Sequence, residues 1–220
     1  MLLLGLDTAT AVTTVALVRS VPGADTQVLG ERSHVDARRH GQVLPVQIDE
    51  VLRGAGVNPA DLDAVAVGIG PGAFTGLRVG LATAQTLGQA LQIPVHGVST
   101  LDVLAFATQC EGPFAVVTDA RRREFFWATY RRHDVRSSAP TVGTPAAARE
   151  ALGGMTVFCP PRTPAIDGQR VVEGGEPNGE VLCRLVLSRL AKGQSAEAPV
   201  PLYLRRPDVT PSAGPKSVLA

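Results

Sequence analysis

The local plan of LLLGLDTATAVTTVALV (2–18) returns in FAVVTDARRREFFWATY (114–130). In each, an apolar strand ends on an aspartate, Asp7 or Asp119, and a short polar turn leads into a second apolar strand. Self-similarity of this kind constrains a chain more than composition does, because it implies two related halves, each built on the same hairpin. It excludes an all-helical fold at once.

The rest of the chain can be placed around the two units. After the first pair, TQVLGERSHV (26–35) alternates well enough for a third strand. From His40 onward, Leu44, Ile48, Val51 and Leu52 fall on one helical face, and Gly54 and Gly56 end that helix. Pro45 is expected near the first turn, where its missing N–H is tolerated. LDAVAVGIG (62–70) reads as a buried strand, residues 74–91 as a long helix, IPVHGV (93–98) as a strand and STLDVLAFATQ (99–109) as a helix opened by Ser99 or Thr100. The order βββ-α-β-α-β-α indicates an α/β layer fold with a mixed sheet. In the second half, residues 145–154 and 179–193 read as helices, MTVFC (155–159) as a strand and residues 160–179 as loops. The expected division is a lobe over 1–110, a smaller and less regular lobe over 111–206, and a mobile tail over 207–220.

With 45% hydrophobic residues among 220, the chain can form a buried core. A net charge of +1 gives no general case for a nucleic-acid-coating protein. No apolar run approaches the roughly 20 residues that cross a membrane. The apolar start is interrupted by Asp7 and lacks a basic region before it, which argues against a signal peptide. Cys110, Cys159 and Cys183 are odd in number and far apart, as expected of reduced thiols in a cytoplasmic protein.

The glycine-rich run GIGPGAFTGLRVGLATAQ (68–85) carries the sharpest local question. It lacks the lysine of a P-loop. Gly68, Gly70 and Gly72 could form a nest of N–H groups at the helix start, and with Asp7, Thr8 and Thr10 they make a candidate phosphate loop. The competing reading is an aspartate that only caps a tight turn. Farther along, Gly76, Gly80, Ala84 and Gly88 recur every four residues and form a smooth stripe. Each interior glycine costs roughly 1 kcal/mol relative to alanine, so close approach by another element is expected, either from the same chain or from a partner. The histidines His34, His40, His96 and His133 are scattered without H-x-x-x-H, and no G-x-S-x-G is present. No catalytic or metal-ligating residue is therefore assigned. Arg121, Arg122 and Arg123 fall in the second hairpin turn, solvated by default and an RNA-phosphate contact in a minority reading.

The segments LGLDTAT, HGQVLPVQIDEVL, AVGIGPGAFTGLRVGLATAQTLGQAL, PVHGVSTLDVLA, DARRREFFWATY and PLYLR (201–205) together closely resemble the bacterial TsaB family, formerly YeaZ. The likeness is dense over 1–130 and thin afterwards, except at PLYLR. Gly41 departs from the Ser or Thr more common there. The resemblance implies a two-lobed actin-like ATPase (ASKHA, ribonuclease-H-like) fold. It also implies a non-catalytic role in forming threonylcarbamoyladenosine beside the anticodon of tRNAs that read codons beginning with A. The implied partners are a paralogous TsaD-type catalytic subunit, a TsaE-type ATPase and, through the complex, tRNA, with a homodimer when the chain is alone. No cofactor is implied beyond a nucleotide at the boundary with the partner subunit. The implied contact uses the helix carrying Leu44, Ile48 and Leu52 and the glycine-striped helix from Gly76 to Gly88. Gly80→Leu is then expected to disrupt assembly and leave the monomer folded. The competing readings are an active phosphotransferase or ATPase acting through Asp7 and, most weakly, a peptidase.

Overall fold

Strands β1 (Leu2–Asp7) and β2 (Val12–Arg19) pair antiparallel, from Leu2 opposite Arg19 to Asp7 opposite Thr14. In a computed structural model describing residues 1–205, this hairpin begins a five-stranded sheet. Strand β3 (Gln27–Val35) adds antiparallel to β2. After helix α1 (His40–Gly54), strand β4 (Ala64–Gly68) pairs parallel with β1. Helix α2 (Phe74–Leu91) then leads to β5 (Val95–Val98), parallel to β4. The order is β3-β2-β1-β4-β5.

After helix α3 (Thr100–Ala107) the plan repeats. Strands β6 (Phe114–Asp119) and β7 (Phe125–Arg132) form the second hairpin. Short strands β8 (Val135–Arg136) and β9 (Thr141–Gly143) both pair with β7. Helix α4 (Pro145–Leu152) precedes β10 (Thr156–Cys159), parallel to β6, and β11 (Arg170–Glu173) lies parallel to β10. The order β8-β7-β6-β10-β11 reproduces the first sheet, so the repeat read from the two Asp hairpins is a repeat of topology. Two mixed sheets of this order, each with flanking helices, make the two-lobed actin-like, ribonuclease-H-like fold.

The last helix, α5 (Gly179–Ala191), does not stay with the second sheet. Its Leu182, Cys183, Leu185 and Val186 pack on Leu3, Val18, Ala64 and Ala66 of the first sheet. The side chains of Leu4, Leu6, Val15 and Leu17 point the other way, to Leu44, Ile48, Leu52 and Leu81 of α1 and α2. Both faces are covered, which is why β1 and β2 read as nearly continuous apolar runs rather than alternating ones. Gly5 permits the close fit, since a β-carbon there would stand 2.6 Å from the Cys183 sulfur. Conversely, Leu101, Leu104 and Ala105 of α3 pack on Phe114, Val116, Ala128 and Tyr130 of the second sheet. The division expected between 110 and 111 separates the strands of the two sheets, but it does not describe the packing of the helices, which the lobes exchange. The tail expected over 207–220 lies outside the described residues.

A buried polar knot fastens the exchanged helices. The Asp102 carboxylate on α3 accepts from the Tyr130 hydroxyl at 2.8 Å, from Arg136 at 3.1 Å and from Arg189 of α5 at 2.6 Å. Burial and the adjacent Asp102 charge push the Tyr130 phenol well above its usual range. Glu197 lies beside both arginines and bonds through its backbone to Gly97. From there residues 197–205 run as a strap along α2. Gln85 donates to the Pro199 carbonyl at 2.7 Å, Leu202 N–H to Ile69 at 2.8 Å, and Arg205 reaches the Ala120 carbonyl of the second lobe at 3.1 Å. The isolated PLYLR motif thus has a physical role as an interlobe strap.

Strand β11 falls where the sequence indicates loops, and β8 and β9 fall in residues 133–144, where the sequence indicates no element. Pro45 sits beyond the first turn of α1, on its exposed face, contrary to expectation.

Candidate functional site

The turn after β1 faces inward. Asp7 is 1% exposed, with one carboxylate oxygen accepting from Ala9 N–H at 2.7 Å and the other from the Thr100 hydroxyl at 2.8 Å. Gly68 lies so close that any β-carbon would overlap this carboxylate. Desolvation outweighs the two hydrogen bonds and pushes the Asp7 carboxyl up to about 6. Thr8 is equally committed, its hydroxyl donating to the Gly76 carbonyl at 2.7 Å and accepting from Gly80 N–H at 3.0 Å. The Thr10 hydroxyl accepts from Val12 N–H at 3.2 Å. The Gly70 carbonyl accepts from Thr100 N–H at 2.8 Å and from the Ser99 hydroxyl at 3.1 Å, and Gly72 packs on the Ala9 backbone. The expected phosphate loop is corrected accordingly. Asp7, Thr8 and Gly70 tie the turn to α2 and α3, and only Thr10 and Gly72 of that set line an open space.

That space is a cleft of about 430 Å³ between the two aspartate turns. Its opposite wall is the turn of the second hairpin. Asp119 accepts from Arg121 N–H at 2.7 Å, and Arg121 and Arg122 line the cleft with Arg162 and Arg205. Arg205 bridges to Glu124 at 3.2 Å, and Arg162 pairs with Glu176 at 3.0 Å. The two turns are related by topology, yet one is sealed and the other is open and lined by arginines.

The helices expected to meet a partner lie side by side on the first sheet. Leu44, Ile48 and Leu52 are buried in the core of the lobe itself. The glycine stripe is buried too. A β-carbon on Gly76 would overlap the Thr8 carbonyl, one on Gly80 would stand 2.5 Å from the Thr8 hydroxyl, and one on Gly88 would overlap Val95. Ala84 is fully buried. These residues cannot form a surface between chains, because the hairpin turn and β5 of their own lobe occupy that side. Of the two readings the stripe allowed, close approach within the chain is the one realised.

What α1 and α2 offer to solvent is a different set. On α1 the outer face carries Gln42, Pro45, Val46 and Asp49, with Val46 55% exposed. On α2 it carries Thr75, Arg78, Ala82, Gln85, Thr86 and Gln89. Arg78 is the one charged residue among the 18 of α2. The signal for this face was present in the sequence as missing charge at the positions opposite the glycines. Among the described residues no cluster of His, Cys, Asp and Glu could hold a metal, and no helix is long and apolar enough to cross a membrane.

Residues 27–162 match the family model described as TsaD, tRNA N6-adenosine threonylcarbamoyltransferase. An uncharacterized protein of Mycobacterium tuberculosis is 44% identical over 211 residues, covering 96% of this chain and 94% of its own. The tRNA threonylcarbamoyladenosine biosynthesis protein TsaB of Haemophilus influenzae is 37% identical over 139 residues, covering 61% of this chain and 56% of its own, and that of Escherichia coli is 34% identical over 137. The solved structure of YeaZ from Pseudomonas aeruginosa superposes with a TM-score of 0.73 at 31% identity, covering 92% of this chain and 99% of that one. With the match to the TsaD model over more than half of the chain and the likeness to YeaZ over nearly all of it, the chain belongs to the TsaB (YeaZ) family.

Proposed function

We propose that this chain serves tRNA threonylcarbamoyladenosine biosynthesis as a non-catalytic subunit that binds and supports a TsaD-type transferase. The observation that carries the reading is the outer face of α2, a surface helix whose exposed residues are small or uncharged apart from Arg78, beside the exposed Val46 of α1. Depletion of charge is what distinguishes the core of an interface from ordinary surface. A stable complex needs about 1,200–2,000 Å² in total, and two adjacent helices of 15 and 18 residues give room for it. The same face would serve a homodimer when the partner is absent. The reading further places a TsaE-type ATPase and tRNA in the assembly, in the cytoplasm, and a nucleotide at the boundary between the paralogous subunits. The non-catalytic part is supported by the chemistry of the first turn, since a buried carboxyl titrating near 6 and fully hydrogen-bonded is poorly placed to act on a phosphate.

The test is light scattering on a size-exclusion column, with the chain alone and with the TsaD-type subunit of the same organism. A heteromer peak is expected, and it should vanish for Ala82→Glu and for Val46→Asp while both variants melt as the parent does. A heteromer that tolerates both substitutions would place the contact elsewhere. No heteromer under any condition would remove the partner role.

A further inference from the structure

Helix α2 is flanked on both sides. Val79 faces α1, 4.0 Å from where a β-carbon on Gly41 would lie. The strap of residues 197–205 runs along the other flank, where Gln85 donates to the Pro199 carbonyl and Arg78 Nε to the Tyr203 hydroxyl at 3.2 Å. Arg78, the one charged residue of α2, is thereby folded back. Its guanidinium lies 3.9 Å from the Phe74 ring centroid, and the Tyr203 ring stacks on Phe74 at 5.0 Å with 29° between the planes. The charge is engaged within the chain by a ring face and a phenol oxygen, and the face beside it stays free of ions.

The strap carries no charge between its ends. APVPLYL (198–204) is an uncharged run between Glu197 and Arg205. Leu202 packs inward on the first core, while Val200 is 58% exposed and Tyr203 40%. Pro199 and Pro201 restrict the backbone, and stacking holds the Tyr203 ring, so these side chains have little freedom left to lose on contact. Tyrosine is enriched at the energetic centres of interfaces, among neighbours that exclude water. Both ends of the strap are held by the second lobe. Glu197 stands 3.8 Å from Arg136 of β8, and Arg205 pairs with Glu124 at 3.2 Å.

We propose that the strap is part of the partner surface: a TsaD-type subunit seated on α2 also covers Val200 and Tyr203, and through the strap its binding is coupled to the placement of the second lobe. This rests on the assembly role proposed above and adds to it a third element and a regulation. Helices α1 and α2 lie on the first sheet alone, whereas the strap keeps its position only while both lobes hold it. A partner that grips the strap therefore favours one arrangement of the lobes, and by linkage that arrangement favours the partner.

Isothermal titration of the whole chain with the TsaD-type subunit of the same organism tests this, with a melting curve for every variant. Val200→Asp and Tyr203→Ala should each weaken binding about tenfold or more, and Tyr203→Phe, which keeps the ring, should stay within about twofold of the parent. Val200→Asp should melt as the parent does, since that side chain is exposed. Val171→Asp, at another exposed valine on β11, should change nothing. Arg205→Gln releases one anchor of the strap without touching the face of α2, and should weaken binding about fivefold or more. Amide exchange in residues 120–124 should slow when the complex forms. A complex lost with Ala82→Glu but kept at parent affinity by both strap variants would overturn the proposal and leave the assembly role standing. Parent affinity for Arg205→Gln, with unchanged exchange in 120–124, would overturn the coupling. No complex with the parent chain would remove the assembly role and this inference together.

Discussion

The Gly80 N–H donates to the Thr8 hydroxyl at 3.0 Å, and a β-carbon on Gly80 would stand 2.5 Å from that same oxygen. The glycine is therefore required by the β1–β2 turn. Gly80→Ala gains about 1 kcal/mol of helix propensity but forces α2 off the turn, at an overpacking cost of about 1–3 kcal/mol plus the strained hydrogen bond. We expect a net loss of about 2 kcal/mol, read from urea unfolding. Gly76→Ala should cost more, because its β-carbon would meet the Thr8 carbonyl, which is backbone and cannot rotate away. Gly80→Leu is expected to unfold the lobe. A Gly80→Ala variant as stable as the parent would mean that α2 floats over the turn.

Asp7 gives the chain a specific pH dependence. Its carboxyl sits near 6 when folded, against an ordinary value of 3.8. The folded state thus holds the proton more tightly than the unfolded state. The stabilisation is complete below about pH 4 and is lost as pH rises through about 6. Asp7→Asn keeps the shape and removes the titration. Between about pH 4.5 and 7.5 the parent should lose about 2 kcal/mol relative to this variant. Parallel stability curves for the two proteins would show that Asp7 does not titrate differently on folding.

Much of the fold was legible because both hairpins carry the same signals: apolar strand, aspartate, polar turn, apolar strand. The first five strands and five helices follow from apolar runs and helical periodicity. The lost strands, β8, β9 and β11, are two to four residues long and largely exposed at the sheet edge, so they lack the apolar pattern that betrays a strand. The exchange of α3 and α5 was invisible for another reason. Periodicity tells which face of a helix is buried and says nothing about which sheet buries it. The same limit applied at the site. The spacing of Gly76, Gly80, Ala84 and Gly88 required a close neighbour, and only the position of Thr8 in the fold identifies it. The aspartates matched as sequence, whereas Asp7 is buried by Gly68 and Thr100, which are far away in the chain.

The Asp102 knot predicts where the two lobes come apart. Its side chain is 5% exposed and compensates two arginines and a phenol drawn from three elements. Removing one member of a buried ion cluster costs about 3–5 kcal/mol, because the others are left unpaired. Asp102→Ala should lose that much, and limited proteolysis should then cut near the α5 junction under conditions where the parent resists. Arg136→Ala should cost less, since Arg189 still pairs with Asp102 and the Arg136 side chain is already 29% exposed. Equal losses for the two variants would argue that the cluster acts as a unit.

The three thiols should separate by reactivity. Cys183 is fully buried under Gly5 and donates to the Leu3 carbonyl at 3.8 Å, and burial with nearby Glu180 and Glu31 pushes its thiol far above the usual range. Cys159 is buried at the end of β10, and desolvation followed by the Glu173 charge raises it as well. Cys110, in the loop after α3, is half-exposed. Thiolate is the reacting form, so access and ionisation act together. An alkylating reagent at about pH 8, near the usual thiol range, should label Cys110 first, with Cys159 slower and Cys183 reached only through opening of the first lobe. Protection of Cys183 should then report the stability of that lobe, rising and falling with Gly80→Ala and Asp7→Asn as denaturant unfolding does. Mass spectrometry of partly labelled protein checks the order. Labelling of Cys183 at the rate of Cys110 would mean that α5 leaves the sheet while the rest of the chain stays folded.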